Sequence, residues 1–97
     1  MQVEDVIGRR ARVKILKVIY QIGELNVSEI ARRTSSDYKA TVRHLEALEE
    51  EGILKHKTFG RIRLYRFNED SPKALALQKF FEEWESIKKP QQKVSKY

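Results

Sequence analysis

The sequence predicts a mainly helical fold with one small β-hairpin, of the α+β class, in a single domain. Apolar residues recur every three or four positions through most of the chain, which is the spacing of helices that pack on one face. Residues 53–67 alternate instead and are rich in β-branched and aromatic side chains, as strands are. At 97 residues, the chain can bury only one small core.

The first two predicted helices lie before residue 24. Apolar residues at 3–7 form a short series that Gly8 interrupts. The next series, spaced mainly by four residues, predicts an amphipathic helix from about Arg9 to Gln21. Gly23 follows at the position where a left-handed residue commonly ends a helix, and "ELN" is then expected to be a short extended link.

A capping pattern marks the start of the third helix. Asn26 is a preferred N-cap residue, and Glu29, three positions later, completes the pattern of a capping box. We expect this helix to end near Arg33 or Thr34, where the short polar turn "TSSD" begins.

The fourth helix is predicted from about Tyr38 to Glu51, after an N-cap at Ser36 or Asp37, and Gly52 ends it. Its start is polar and basic, whereas its end is acidic. Helical spacing places three residues on its inner face: Thr41, Leu45 and Leu48.

The alternating segment predicts a β-hairpin whose turn is Phe59-Gly60-Arg61. Both faces of its second strand carry apolar groups, so the pattern leaves open which face is buried. The two faces are Ile62, Leu64 and Arg66 against Arg63, Tyr65 and Phe67.

A last helix is predicted from an N-cap at Asp70 or Ser71, through Pro72 at its first position, to Pro90. The chain then divides into a domain of residues 1–70, a C-terminal helix of residues 71–89 and a flexible basic tail of residues 90–97.

The C-terminal helix carries an apolar stripe that is large for so small a core. Its members are Leu77, Phe80, Phe81, Trp84 and Ile87. Part of the stripe can cover the first long helix, but so much aromatic surface at the end of a domain favours contact between two subunits. We therefore expect these five residues to form a homodimer interface.

The order helix, short turn, helix and β-hairpin is that of a helix-turn-helix followed by a wing. Over roughly residues 8–68, the chain resembles the winged-helix transcription regulators, above all the ArsR type and the small archaeal regulators. The stretches that carry the resemblance are "GRRARVKILKVI" (first core helix), "ELNVSEIARRT" (support helix), "DYKATVRHLEALEEEGIL" (recognition helix) and "KTFGRIRLYRFN" (wing). The resemblance implies a winged helix-turn-helix that binds double-stranded DNA.

In such a fold, the leading end of the recognition helix enters a major groove. Lys39 and Arg43 then reach guanine edges or phosphates, Val42 meets a thymine methyl, and Tyr38 with the preceding serines suits phosphate oxygens. Arg61, next to the tip glycine, suits a minor groove or a phosphate. The predicted DNA-binding residues are Ser35, Ser36, Tyr38, Lys39, Val42, Arg43, Lys57, Arg61 and Arg63.

The acidic end of the helix, Glu46 with residues 49–51, is expected to form a solvated face away from the phosphates, where it can pair with nearby lysines. His44 is expected to be a packing or capping residue and His56 a surface residue of the hairpin. These two histidines are too few for a closed zinc site.

Metal sensing is not expected. In metal-sensing ArsR proteins, the segment equivalent to "ELNVSE" carries a pair of cysteines, where this chain has Asn26 and Ser28. The chain has no cysteine, no glycine-rich phosphate loop and no nucleophile–base pair, so we expect no cofactor and no enzyme activity. The sequence identifies no small-molecule effector.

The charge distribution indicates a phosphate-bearing partner. The net charge is +6, and residues 55–66 hold five Lys or Arg and no acid. We expect a dimeric, sequence-specific DNA-binding regulator, a repressor, in the cytoplasm at the nucleoid. A chromatin-type protein of low specificity and a winged domain for protein–protein assembly remain alternatives.

No stretch is long enough for a membrane span, and "MQVEDVIGRR" does not resemble a signal peptide. The Lys, Arg and Glu content fits a thermophile.

Overall fold

The computed structural model describes the backbone of residues 1–94 and the side chains of residues 1–87. It contains five helices and three strands within these residues. In chain order they are α1 (Val3–Ile7), α2 (Arg10–Ile22), β1 (Leu25–Asn26), α3 (Val27–Thr34), α4 (Tyr38–Glu50), β2 (Leu54–Phe59), β3 (Ile62–Phe67) and α5 (Pro72–Val94). The predicted winged helix-turn-helix of the α+β class is confirmed, with α3 and α4 as the helix-turn-helix and β2–β3 as the wing.

Local capping explains where α3 and α4 begin. Asn26 Oδ1 accepts a hydrogen bond from the Glu29 backbone N–H at 2.8 Å, and Asp37 Oδ2 accepts one from the Ala40 N–H at 3.0 Å. The predicted capping box at α3 is only half formed, because two arginines of α3 bind the Glu29 carboxylate. Ser35 has a left-handed backbone, with φ of 53°, and turns the chain between the two helices.

The three strands form one antiparallel sheet in the order β1-β3-β2. The predicted extended link is strand β1, in which Leu25 lies opposite Tyr65. In the hairpin, Phe59 lies opposite Ile62, so Gly60 and Arg61 form a two-residue loop. Gly60 has φ of 59°, as a first loop residue of a type II′ turn requires.

The core lies between the helices and one face of the hairpin. The buried face is the one that carries Tyr65 and Phe67, with 0% and 7% of their surface exposed. Thr41, Leu45 and Leu48 are fully buried, as predicted for the inner face of α4. They belong to a small core with the apolar residues of α2 and α3, including Ile15, Leu16, Ile19 and Ile30.

Helix α5 starts as predicted but extends further. The Ala74 N–H donates to Ser71 Oγ at 3.2 Å, so Ser71 is the N-cap and Pro72 the first helical residue. The predicted end at Pro90 is wrong, because the backbone stays helical to Val94. A proline removes only one helical hydrogen bond, and a helix can pass through it with a kink. The rest of the predicted tail, residues 95–97, lies outside the described residues.

Among the helices within residues 1–94, none combines the length and the apolar character that crossing a membrane requires.

Candidate nucleic-acid interface

The leading half of α4 presents a polar, cationic surface. Packing of Thr41 and Leu45 in the core turns Tyr38, Lys39 and Arg43 outward, and all three are exposed. Tyr38, the first residue of α4, has 54% of its surface exposed. Among the side chains of residues 1–87, no carboxylate lies within salt-bridge distance of Lys39 or Arg43. Both cations are therefore available to a partner.

Two other residues predicted for this surface point elsewhere. Val42 is half-buried and packs against the core, so its predicted outward position is wrong. The Ser36 hydroxyl is half-buried and bound to Thr34, donating to its carbonyl at 3.3 Å and accepting from its hydroxyl at 3.0 Å. Ser35 is exposed. These differences arise because the tight turn draws residue 36 inward, and because Val42 lies at the edge of the apolar stripe.

The wing tip brings one free cation next to α4. Arg61 is exposed in the hairpin loop, and within residues 1–87 it has no ion pair or hydrogen bond from its side chain. Arg61 and Tyr38 line the same polar cleft, of about 240 Å³, together with Ser28. Phe59 and Ile62 flank the tip and are half-exposed or more, which the sequence did not single out. The wing tip and the start of α4 therefore form one continuous surface.

The other predicted cations of the wing are engaged by the chain itself. Lys57 Nζ lies 3.6 Å from Glu24 Oε1. Arg63 Nη1 lies 3.4 Å from Glu46 Oε2 and donates to the Tyr65 hydroxyl at 3.1 Å. Arg63 shares the inward face of the hairpin with Tyr65, so the predicted DNA contact of Arg63 requires its side chain to leave these partners.

Glu69 accounts for the remaining two cations of the wing. It pairs with Lys55, and its Oε2 lies 3.7 Å from Arg66 Nη1. The hydrogen bond from Lys55 is the main cause that lowers the pKa of Glu69. A stretch that is purely basic in sequence is thus largely neutralised in space.

The acidic end of α4 is partly solvated and partly paired with basic side chains. The Glu49 carboxylate lies 2.8 Å from His56 Nδ1, and the Glu46 carboxylate contacts Arg63. Glu51, the C-cap residue, binds Lys73 Nζ of α5 at 2.7 Å, and this hydrogen bond is the main cause that lowers its pKa. Of the four glutamates, only Glu50 is exposed without such a partner among residues 1–87. Glu46 is exposed as well, and Glu51 pairs with a lysine as predicted, whereas Glu49 is half-buried against His56 and departs from the predicted solvated face.

The arginines that close α3 are also engaged. Glu29 Oε1 accepts from Arg32 Nη2 at 2.7 Å and from Arg33 Nε at 2.8 Å. The hydrogen bonds from Arg32 and then Arg33 lower the pKa of Glu29 to about 2. Each arginine already has an anionic partner, so this pair adds less free positive charge than the sequence suggests.

The two histidines serve packing contacts. Arg12 Nε donates to His44 Nδ1 at 3.1 Å, and burial, with the nearby charge of Arg12, lowers the pKa of His44. His56 is half-buried, and its ring centre lies 5.0 Å from that of Tyr65, so the predicted surface position is wrong. Within the described residues, no group of three His, Asp or Glu side chains is placed to hold a metal ion.

The apolar stripe of α5 divides into two faces. Phe81 is buried, with its ring 5.6 Å from Tyr20, and Leu77 packs against the core. The predicted interface role of these two residues is corrected accordingly, since both stabilise the chain's own fold. Phe80, Trp84 and Ile87 have 53%, 58% and 57% of their surface exposed.

An apolar groove adjoins this exposed stripe. It has a volume of about 310 Å³ and lies between α1 and α5. Val3 and Ile7 line it from α1, and Leu77 and Phe80 line it from α5. Val3 and Ile7 are at least half-exposed, so the apolar surface extends over both helices.

The described geometry agrees with a family match over the same residues. The family model described as HVO_A0114 matches residues 9–68, from the start of α2 through the wing, which is more than half of the chain. The chain belongs to the HVO_A0114 family. No curated protein matches the sequence.

Solved structures with the same fold include transcriptional repressors. The chain superposes on the antimony-specific transcriptional repressor AntR with a TM-score of 0.71 and 22% identity, over 91% of this chain and 76% of AntR. HlyU from Vibrio cholerae N16961 superposes with a TM-score of 0.72 and 20% identity, over 84% of this chain and 86% of HlyU. The homodimeric winged helix-turn-helix domain of Mb0332 from Mycobacterium bovis superposes with a TM-score of 0.66 and 24% identity, over 88% of this chain and 73% of that domain. At these identities, what this member of the HVO_A0114 family shares with them is the winged helix-turn-helix fold.

Proposed function

We propose that this protein is a homodimeric, sequence-specific regulator of transcription that binds double-stranded DNA and acts as a repressor at the nucleoid. One observation carries the proposal. Among residues 1–87, carboxylates engage most cations of the helix-turn-helix and wing, yet leave Lys39, Arg43 and Arg61 unpaired on the surface that joins α4 to the wing tip. A surface with retained positive charge next to an exposed helix start suits a polyanion with a groove.

Each free group has a distinct role in this proposal. The start of α4 enters the major groove, where Arg43 and Lys39 donate to guanine O6 and N7. The hydroxyl groups of Ser35 and Tyr38 donate to phosphate oxygens, which fixes the register of the helix. Arg61 contacts the backbone or the minor groove from the wing tip. Phosphates supply most of the affinity, and the base contacts of α4 supply the specificity.

Dimerisation is proposed through the exposed apolar surface of α1 and α5. Phe80, Trp84 and Ile87 continue into the groove lined by Val3 and Ile7, and an apolar surface of this extent marks a contact between proteins. A second copy fits, because a twofold axis pairs the same patch with itself. Such a dimer presents two α4 helices about 34 Å apart and selects a pseudo-palindromic site. The Mb0332 domain, which shares the fold, is homodimeric, and this supports a dimeric state.

Selection of bound sequences from a random DNA pool tests the DNA-binding part. We expect enrichment of one pseudo-palindromic motif, and a footprint confined to that motif on longer DNA. Uniform protection of every sequence would favour a low-specificity chromatin protein. Absence of salt-sensitive DNA affinity would favour an assembly module instead.

Replacing Phe80 and Trp84 together by alanine tests the interface. Both side chains are exposed, so we expect the variant to fold and to sediment as a monomer. Leu75→Ala is the matched control, because Leu75 has 54% of its surface exposed and lies about two and a half turns from Trp84, on the opposite side of α5. A double variant that remains dimeric, or a wild-type monomer, refutes the proposed dimer.

A further inference from the structure

Two carboxylates of α4 contact both strands of the wing. Glu46 Oε2 lies 3.4 Å from Arg63 Nη1 in β3, and both Glu49 carboxylate oxygens lie 2.8 Å from His56 Nδ1 in β2. Glu46 and Glu49 are three residues apart, so they lie on the same side of the helix. The contacts therefore tie one side of α4 to the wing at two points.

The wing residues of these contacts lie on one face of the hairpin. His56 is directly opposite Tyr65, and Arg63 precedes Tyr65 by two positions, so all three side chains point the same way. Tyr65 is fully buried, its ring centre lies 5.0 Å from the His56 ring, and its hydroxyl accepts from Arg63 Nη1 at 3.1 Å. Arg63 is thus held between a core residue and the helix.

We propose that Glu46 and Glu49 form a carboxylate clamp with Arg63 and His56, which positions the wing and withholds Arg63 from DNA phosphates. The inference rests on the proposed DNA-binding function and adds a determinant of specificity to it. Glu46 and Glu49 are positioning residues in this scheme, since they act through the wing and not by touching DNA.

The clamp limits affinity that carries no sequence information. Each additional cation on a phosphate strengthens binding to every DNA sequence alike. With Arg63 clamped, and Lys57 beside Glu24, the wing tip presents Arg61 to the backbone. The base contacts of α4 then account for a larger share of the total affinity, which widens the ratio of specific to random binding.

The test measures how the affinity for random-sequence duplex depends on salt, with Glu46→Gln against a control of equal charge. Glu50→Gln is that control, because Glu50 is exposed on the same helix without a partner among residues 1–87. Glu46→Gln removes the carboxylate charge that pairs with Arg63, so we expect Arg63 to engage a phosphate and the slope of log affinity against log salt to steepen by about 0.9 relative to Glu50→Gln. Between 50 and 200 mM salt, that difference corresponds to roughly a threefold further loss of affinity.

Arginine variants complete the cycle. We expect Arg63→Gln to have the same salt slope as wild type. The double variant, Glu46→Gln combined with Arg63→Gln, should have the same slope as Arg63→Gln alone. Arg61→Gln should make the slope shallower by about 0.9, because Arg61 contacts a phosphate. A slope for Arg63→Gln that is shallower than that of wild type overturns the proposal that the clamp withholds Arg63, and so do equal slopes for Glu46→Gln and Glu50→Gln.

A measurement on the free protein separates the clamp from the DNA-binding function. We expect the Arg63 side-chain Nη–H signals in NMR spectra to exchange faster with water in Glu46→Gln than in Glu50→Gln, because Nη1 is the atom that contacts Glu46. Likewise, Glu49→Ala should shift the His56 Nδ1 resonance, and Glu50→Ala should not. Unchanged signals overturn the clamp. If the NMR differences appear as expected but wild-type protein has no salt-sensitive affinity for DNA, the clamp is present and the proposed function is refuted.

Discussion

The two halves of α4 share one buried face but have opposite surfaces. In the leading half, residues 38–43, the exposed cations Lys39 and Arg43 have no anionic partner among residues 1–87. In the trailing half, residues 44–50, Glu46 and Glu49 are bound to the wing. The neighbours of each half, and not the helix itself, therefore decide which charges remain available.

The largest effect is expected where the halves are joined. Leu45 is fully buried, and Leu45→Ala removes apolar contacts and leaves a cavity, so we expect a loss of about 2–5 kcal/mol in the free energy of unfolding. Urea unfolding followed by circular dichroism measures it. Ala47→Gly changes the same helix without a large cavity and should cost about 1 kcal/mol. Equal losses in the two variants contradict the assignment of Leu45 to the core.

The next effect concerns the leading half alone. Arg43→Ala removes a proposed base contact and should weaken binding to the selected motif by about 1–3 kcal/mol, with a smaller loss on random DNA. Fluorescence anisotropy on both duplexes at one salt concentration measures the difference. Glu50→Ala, in the trailing half, should not weaken either complex. Equal losses for Arg43→Ala on the two duplexes assign Arg43 to a phosphate.

A smaller effect is expected at the first turn. Asp37→Ala removes the acceptor for the Ala40 N–H, so the free energy of unfolding should fall by about 1 kcal/mol. Asp37→Asn keeps a capping oxygen and should retain most of the stability. If the asparagine and alanine variants unfold at the same denaturant concentration, the cap does not contribute as described.

The smallest effect should appear only as pH changes. Lys73 lowers the pKa of Glu51 below 4.5 in the folded chain, so the pair stabilises the protein above that pH. This contribution is lost as the pH falls through the lowered pKa. We expect Glu51→Gln to have a slightly lower melting temperature than wild type at neutral pH, and the difference to vanish on acidification. Glu50→Gln should show no such convergence, and a Glu51→Gln difference that persists in acid contradicts the pairing.

The candidate site was predictable in part. Lys39, Arg43 and Arg61 were predicted from helical spacing and from the glycine turn, and the structure leaves them exposed. Val42 was misplaced, because it lies at the edge of the apolar stripe, and the sequence left open that Arg63 lies on the inward face of the hairpin. Alternation assigns residues to two faces of a strand but does not say which face meets the core.

The sequence alone determined the elements. Capping residues, glycines and apolar spacing act within a few residues, so the helices, the hairpin turn and the inner face of α4 follow from local rules. Tertiary structure decided which charges remain free and which aromatic groups stay exposed. Glu46 and Arg63 are 17 residues apart in the chain, and Phe81 and Tyr20, whose rings are in contact, are 61 residues apart. Such contacts depend on how elements pack, and no local pattern encodes the neighbour that packing brings.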